Sequence, residues 1–413
     1  MTLRLARRTT APLALGTAGI AVAALLTGCV PNAGTAGGAT TVLDVTATSD
    51  ACTVSKAEAP SGPVTFRVKN TSDKVTEFYL LGENKLSIVG EVENIAPNST
   101  RDLTVVADPG SYFTACKPGM VGANVGQAAF AVTGKATALD GDEQKAADAA
   151  VASYVGYVKA QASELLPNVQ KFVDAYEAGK DDEARKLFPL ARVNYERIEP
   201  TAEQFGDLDP AIDYRKPGAE AEGLPFTGFH RIEMDLWLDQ AKKNYPGEKL
   251  APLDQAGRKQ VGDKLVADVT KLHDLVNSKD FTLSLADITN GAVGLLDEVA
   301  APDGKLPGEE NEFAHTDLYD FTANVEGAQV AFDAVKKIAE AKGPEGKKLV
   351  AELDRQFTGM LDLLSQYGSY EKGFVDYSTV DQNARNELGA QLNALSEPLS
   401  KLTHTVLGLP ASE

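Results

Sequence analysis

The chain has 413 residues and a formal net charge of −19, from 59 acidic against 40 basic side chains. That length exceeds what one hydrophobic core ordinarily serves and predicts two domains. The acidic balance excludes nucleic acid as a partner, since phosphates demand a basic face, and suits a chain that handles cations.

The opening stretch, MTLRLARRTTAPLALGTAGIAVAALLTGC, carries Arg4, Arg7 and Arg8 and then runs apolar from Ala11 to Leu26. Residues 1–28 read as a secretory signal rather than a structural helix. The ending Leu26-Thr27-Gly28-Cys29 resembles a bacterial lipobox, which makes Cys29 the expected lipid-bearing N-terminus. No later run is long and apolar enough to span a bilayer. The expected location is extracytoplasmic, in the periplasm or at the outer face of the plasma membrane, held by a lipid anchor. Residues 29–40 are mostly small and read as a flexible tether.

Residues 41–135 have a β texture. Short alternating runs such as GPVTFRVKN, KVTEFYLLG, RDLTVVA and GSYFTAC are cut by Gly, Pro, Asn and Asp turns. Their spacing predicts an all-β sandwich of about seven or eight strands. In PVTFRVKN, Val64, Phe66 and Val68 share one face, and Thr65, Arg67 and Lys69 the other. Cys52 and Cys116 lie here with two readings open. One is a disulfide stapling two strands, as suits an oxidising compartment. The other is a metal site of Cys52, Cys116 and Glu77 with Glu91 or Glu93. Cys116-Lys-Pro-Gly-Met120 has the Cys and Met of a blue-copper centre, but no histidine precedes His230, so that centre is excluded on ligand count.

Residues 136–145 read as a linker, and residues 146–413 as an all-α bundle. Apolar side chains recur at helical spacing, as in Ala150, Tyr154, Tyr157, Val158 and Leu165. Further amphipathic stretches fall near 181–205, 229–243, 254–278, 283–300, 317–341, 345–367 and 379–406. Gly179 is the expected C-cap of the first helix.

The chemistry concentrates in this half. In GFHRIEMDLW, His230 and Glu233 stand at i and i+3, so both can address one site. An imidazole and a carboxylate suit zinc, iron or manganese, although such a pair alone is equally a structural contact. Upstream, Glu196, Glu199 and Glu203 line up at i, i+3 and i+7, with Asp207, Asp209 and Asp213 following. One reading is a solvated acidic face offset by Arg192 and Arg197; the other is a carboxylate cage whose repulsion a cation relieves. Pro200 should kink or restart that helix and re-aim its acids. Glu298 interrupts an apolar helix, and an acid in that setting is rarely buried without a partner. GEENEFAHTDLYDF then gathers Glu309, Glu310 and His315 into a second or contributing metal site. His273 and His404 read as structural.

Taken in order, YERIEP…DLDPAID, TGFHRIE and GEENEFAHTDLYDF resemble the imelysin-like helical domain. With the preceding β-sandwich, the whole chain resembles the extracytoplasmic iron-binding components of the Efe iron-uptake system. The resemblance implies a cupredoxin-like sandwich ahead of an imelysin-like bundle. It implies metal ligands at Glu196, Glu199, Asp213, His230, Glu233 and Glu298, and a second metal site in the β-domain. The implied cargo is ferrous or ferric iron, with zinc and copper as alternatives. The implied partners are a membrane iron permease and a dye-decolourising haem peroxidase of the same system.

An enzyme is the rival expectation. A zincin-type metallopeptidase needs H-E-x-x-H or H-x-x-E-H, and Met234 stands where the latter needs its second histidine. A di-iron ferroxidase pairs Glu-x-x-His motifs on two helices, whereas here the order is His-x-x-Glu and occurs once cleanly. A polysaccharide-binding module would want exposed aromatics, and the single Trp237 sits inside the motif helix. The expectation is a binding protein without catalysis of its own.

Overall fold

The computed structural model describes residues 41–408, leaving aside 84, 86–87, 121, 136–140, 280, 301–304 and 309. The expected signal, tether and Cys29 lie outside the described residues, and so does Glu309.

Alternating sequence produces two sheets. The strands are β1 (Thr41–Ala47), β2 (Cys52–Val54), β3 (Glu58–Pro60), β4 (Gly62–Asn70), β5 (Thr76–Leu81), β6 (Ile88–Ile95), β7 (Thr100–Ala107), β8 (Gly110–Pro118) and β9 (Val125–Thr133). One sheet runs β2-β1-β4-β7 and the other β3-β9-β8-β5-β6. β2 and β3 have three residues each, too few to alternate visibly, and they take the count past the expected seven or eight. Val64, Phe66 and Val68 face the core with Phe78, Leu80 and Phe130 from the other sheet.

The pleat decides which β-domain side chains can meet. On β5, Phe78 and Leu80 turn into the core, while Tyr79 and Leu81 pack on the opposite face. Phe78 stands opposite Cys116, Glu77 opposite Lys117, and Tyr79 opposite Glu91. Cys52 and Cys116 are joined as a disulfide inside the core. The expected metal site of Cys52, Cys116, Glu77, Glu91 and Glu93 therefore does not assemble. Its sulfurs are spent on each other, and its carboxylates stand on the other side of the sheet.

The helical half begins with α1 (Gly141–Glu177), five residues inside the region read as linker, and ends it at Gly179, whose φ of +69° fits the expected cap. There follow α2 (Asp181–Glu196), α3 (Leu208–Asp213), α4 (Lys216–Glu222), α5 (Gly228–Leu236), α6 (Leu238–Asn244), α7 (Gln255–Asn277) and α8 (Leu285–Ala300). The remainder comprises α9 (Lys305–Gly308), α10 (Asp317–Ala341), α11 (Pro344–Ser365), a small hairpin of β10 (Gly368–Ser369) and β11 (Gly373–Phe374), α12 (Gln382–Leu399) and α13 (Leu402–Leu407). Local capping sets several starts. Ser284 and Asp287 bond reciprocally ahead of α8, Ser284 N–H donating to Asp287 Oδ2 at 2.7 Å and Asp287 N–H to Ser284 Oγ at 3.1 Å. The stretch 181–205 is not one helix. α2 stops at Glu196, and Pro200 leads a 3₁₀ turn over Glu199–Phe205, because proline cannot continue an α-helical ladder. One apolar cluster, including Phe172, Phe188, Phe229, Leu296, Phe332 and Phe357, joins the helices. Among the described residues no helix is long and apolar enough to cross a membrane.

The outer face of the five-stranded sheet lies against the helices. β6 packs on α8 and on the 3₁₀ turn. Gln204 Nε2 donates to the Ile88 carbonyl at 2.6 Å and Lys117 pairs with Glu222 at 2.8 Å, while from β7 of the other sheet Thr104 Oγ1 meets His404 Nε2 at 3.1 Å.

Candidate metal centre

Five separate segments bring acidic groups to the middle of the helical half. α2 places Arg192 and Glu196 one turn apart on its buried face. The break at Pro200 lets Glu199, first residue of the 3₁₀ turn, approach Glu196 instead of following it up a helix face. Asp213 closes α3. α5 starts at Gly228 with φ +77°, where a Cβ would overlap the Ile212 carbonyl oxygen. That glycine lets α5 abut α3, so His230 comes beside Asp213. The loop after α9 supplies Glu310.

Two trios of ligand-type atoms result, each with its members within 4.8 Å of one another. One is Asp213, His230 and Glu310, all buried. The other is Glu196, Glu199 and Asp213, so Asp213 is common to both. His230 is 1% exposed. Its Nε2 faces Glu310 Oε1 at 3.2 Å and Asp213 Oδ1 at 3.7 Å. Its Nδ1 meets Glu233 Oε2 at 2.8 Å. The other Glu233 oxygen accepts the backbone N–H groups of Phe313 at 2.9 Å and Ala314 at 2.8 Å. Glu233 thus holds the back of the imidazole ring and pins the loop that carries Glu310. His-x-x-Glu here is a buried hydrogen-bonded pair rather than a surface salt contact, and Glu233 itself lies outside both trios.

The acids already have resident cations. The fully buried Arg192 donates to Glu196 and Asp213, lies 3.4 Å from Asp320 and 3.5 Å from Glu310, and packs against the rings of Phe188 and Phe229. Lys305, 1% exposed, puts Nζ 2.6 Å from both Glu199 oxygens and 3.2 Å from Glu196 Oε2. Asn324 Nδ2 donates to Glu196 Oε2 at 3.0 Å and Glu199 Oε2 at 2.7 Å. Two buried oxygens, Asp320 Oδ1 and Asn324 Oδ1, have no hydrogen-bond partner among the described residues. An oxygen-rich set with one imidazole suits iron or manganese better than thiophilic ions.

Burial and charge divide the titrations. Burial and Arg192 both press the His230 imidazole down, but its hydrogen bonds to Glu233 and Glu310 outweigh them and lift it to about 10. Burial would raise Glu310, yet Lys305, Arg215 and His230 hold it well below the usual carboxylate range. Glu196 is likewise held down, Lys305 and Arg192 prevailing over burial. Burial wins at Glu199 and Asp320, which are raised well above their ordinary values, and at Asp213, which is raised.

The remaining expected ligands divide. Glu310 joins the His230 site, so it contributes to that centre rather than founding a second. His315 lies outside both trios; its N–H bonds Asn311 and its carbonyl accepts from Tyr377. Glu298, on α8, also lies outside them, its carboxyl raised by burial. Glu203 leaves the Glu196 stripe at the helix break and turns to the β-domain, where it bonds Glu91. Glu91 and Glu93 are raised well above the carboxylate range, first by burial and then by neighbouring acids, and Glu203 to about 7 mainly by burial. Arg197, expected to offset the acidic stripe, pairs with Glu326 instead, at 2.8 Å. Sequence reading passes over Lys305 and Asn324, notes Asp320 only as one of the carboxylates gathered after Gly308, and gives Arg192 only a surface role; nothing in the local sequence marks Lys305, Asn324 or Arg192 as buried.

Comparison with known proteins agrees with this architecture. The imelysin family profile matches residues 150–402, and the cupredoxin-like domain profile residues 18–126. A protein of Escherichia coli O157:H7 named iron uptake system component EfeO is 35% identical over 369 residues, covering 88% of this chain and 91% of the relative. Proteins of the same name from E. coli K12 and Shigella flexneri are each 34% identical over the same shares. With its cupredoxin-like sandwich and its imelysin bundle in that order, the chain belongs to the EfeO family.

Proposed function

We propose that this protein is an iron-uptake component that captures iron outside the cytoplasm and delivers it to a membrane permease. The reading rests on one observation: two oxygen-rich trios sharing Asp213, buried except for a partly exposed Glu199, with the His230 Nε2 edge turned to Asp213 and Glu310. The name carried by the E. coli and Shigella relatives supports it. The ligands are Asp213, His230, Glu310, Glu196 and Glu199, and Glu233 orients His230. Carboxylates suit a carrier because they hold an ion yet give it up on protonation. The signal-like leader and the Cys29 lipobox fit a lipid-anchored protein working at the membrane surface. A dye-decolourising haem peroxidase is the expected companion of the permease.

Anaerobic calorimetry with ferrous iron on the mature protein tests the reading. His230→Ala and Asp213→Asn should each weaken binding at least tenfold, roughly 1.4 kcal/mol, because each removes a ligand. Binding by both variants with wild-type affinity and stoichiometry would remove this centre from the account. The binding-protein reading further expects no hydrolysis of casein, with or without a chelator.

A further inference from the structure

Lys305 and a metal ion compete for the same place. The Lys305 ammonium sits 2.6 Å from each oxygen of Glu199, the chelating position of that carboxylate, and 3.2 Å from Glu196. A transition-metal ion binds carboxylate oxygen at about 2.0–2.2 Å. An ion chelated by Glu199 would therefore overlap the ammonium nitrogen. Occupation of the Glu196–Glu199–Asp213 trio and the observed Lys305 position exclude each other.

Arg192 is not placed to yield in this way. It stands within α2, its guanidinium packs against Phe188 and Phe229, and four carboxylates surround it. Lys305 opens a four-residue helix and, among the described residues, its ammonium pairs with Glu196 and Glu199. Its ammonium is a compact charge on a flexible stem, free of the planar fork that fixes an arginine.

We propose that Lys305 is a displaceable internal counter-cation: it neutralises Glu196 and Glu199 in the unloaded protein, leaves when iron enters, and competes it off again on release. This deepens the iron-carrier reading and rests on it. Loading becomes an exchange of one cation for another. The affinity is lower than the ligand set alone would give, and departure of the ion is correspondingly faster.

The test measures ferrous iron binding anaerobically, at one pH, and release to a colorimetric chelator. Lys305→Met keeps the length and removes the charge; it should bind at least tenfold tighter and release more slowly. Lys305→Arg, which keeps a folded, neutralised site if the methionine variant does not fold, should bind at least threefold weaker, because its fork grips Glu199 in two places. In a Glu199→Gln background the gain from Lys305→Met should shrink below threefold. Wild-type affinity and release in both Lys305 variants would overturn the proposal while the Asp213→Asn loss still upheld the carrier reading. Failure of the wild-type protein to bind ferrous iron would overturn both.

Discussion

Arg192 has the most acidic surroundings of any cation described above, with Glu196, Asp213, Glu310 and Asp320 in reach and no exposed surface. Removing one partner of a buried ion pair strands the others in a low dielectric, a loss of about 3–5 kcal/mol. Arg192→Met should therefore destabilise the unloaded protein by about that much in urea unfolding. A loss under about 1 kcal/mol, the scale of an exposed pair, would mean the acids are solvated or protonated without it. The acids and His230 were legible in the sequence because histidine is scarce and the carboxylates cluster. The cations were not, because a lone Lys or Arg looks like solubility until the fold closes over it. Lys305 lies 109 positions from Glu196, so no local pattern joins them.

At the level of elements, the site depends on how closely α8 approaches the 3₁₀ turn that carries Glu199. The contact is made at Gly291, where a Cβ would overlap the Pro200 carbonyl oxygen. Backbone cannot retreat as a flexible side chain can, so Gly291→Ala should cost about 2–3 kcal/mol by overpacking and weaken iron binding by shifting Glu199. Gly294→Ala, three residues on, is the control. A Cβ there meets Glu91 and Glu203 at ordinary contact distances of 3.5 and 3.7 Å, and its melting temperature should stay near wild type. Equal melting temperatures for the two variants would show that the turn is free to move. Helix positions were readable from apolar spacing, and Pro200 announced the break between Glu196 and Glu199. β2, β3 and the split of α5 from α6 at Trp237 were not. Three-residue strands carry no period, and Trp237 continues an apolar run that only its backbone interrupts, at φ −112° and ψ 45°.

Over the whole molecule, the junction between the β-domain and the helices includes a facing pair of acids. Glu203, held up to about 7 chiefly by burial, faces Glu91 across the junction. A carboxyl whose folded pKa is raised binds its proton more tightly in the folded state. Its stabilising effect is complete below the unfolded value, near 4.5, and disappears as pH climbs through about 7. Asp209 and Asp287, raised to about 7 and about 6 by burial, act in the same direction. The protein should thus lose stability between pH 4.5 and 7. Glu203→Gln, a neutral stand-in, should stabilise it by about 1–3 kcal/mol at pH 8 and leave it unchanged at acid pH. Thermal unfolding at both pH values checks this; an equal effect at both would place the gain in packing rather than charge. The two-domain plan was plain in the sequence, but the acidic seam was not, since Glu91 and Glu203 meet only after both halves have folded.

The positive groups lodged among the carboxylates have a bearing on turnover. Many small metalloproteins collapse into shape only around their ion and come apart when a chelator takes it. Here the interior charges are balanced by side chains of the chain itself, so under the proposed carrier role an emptied copy would keep its architecture and be ready for the next load without refolding.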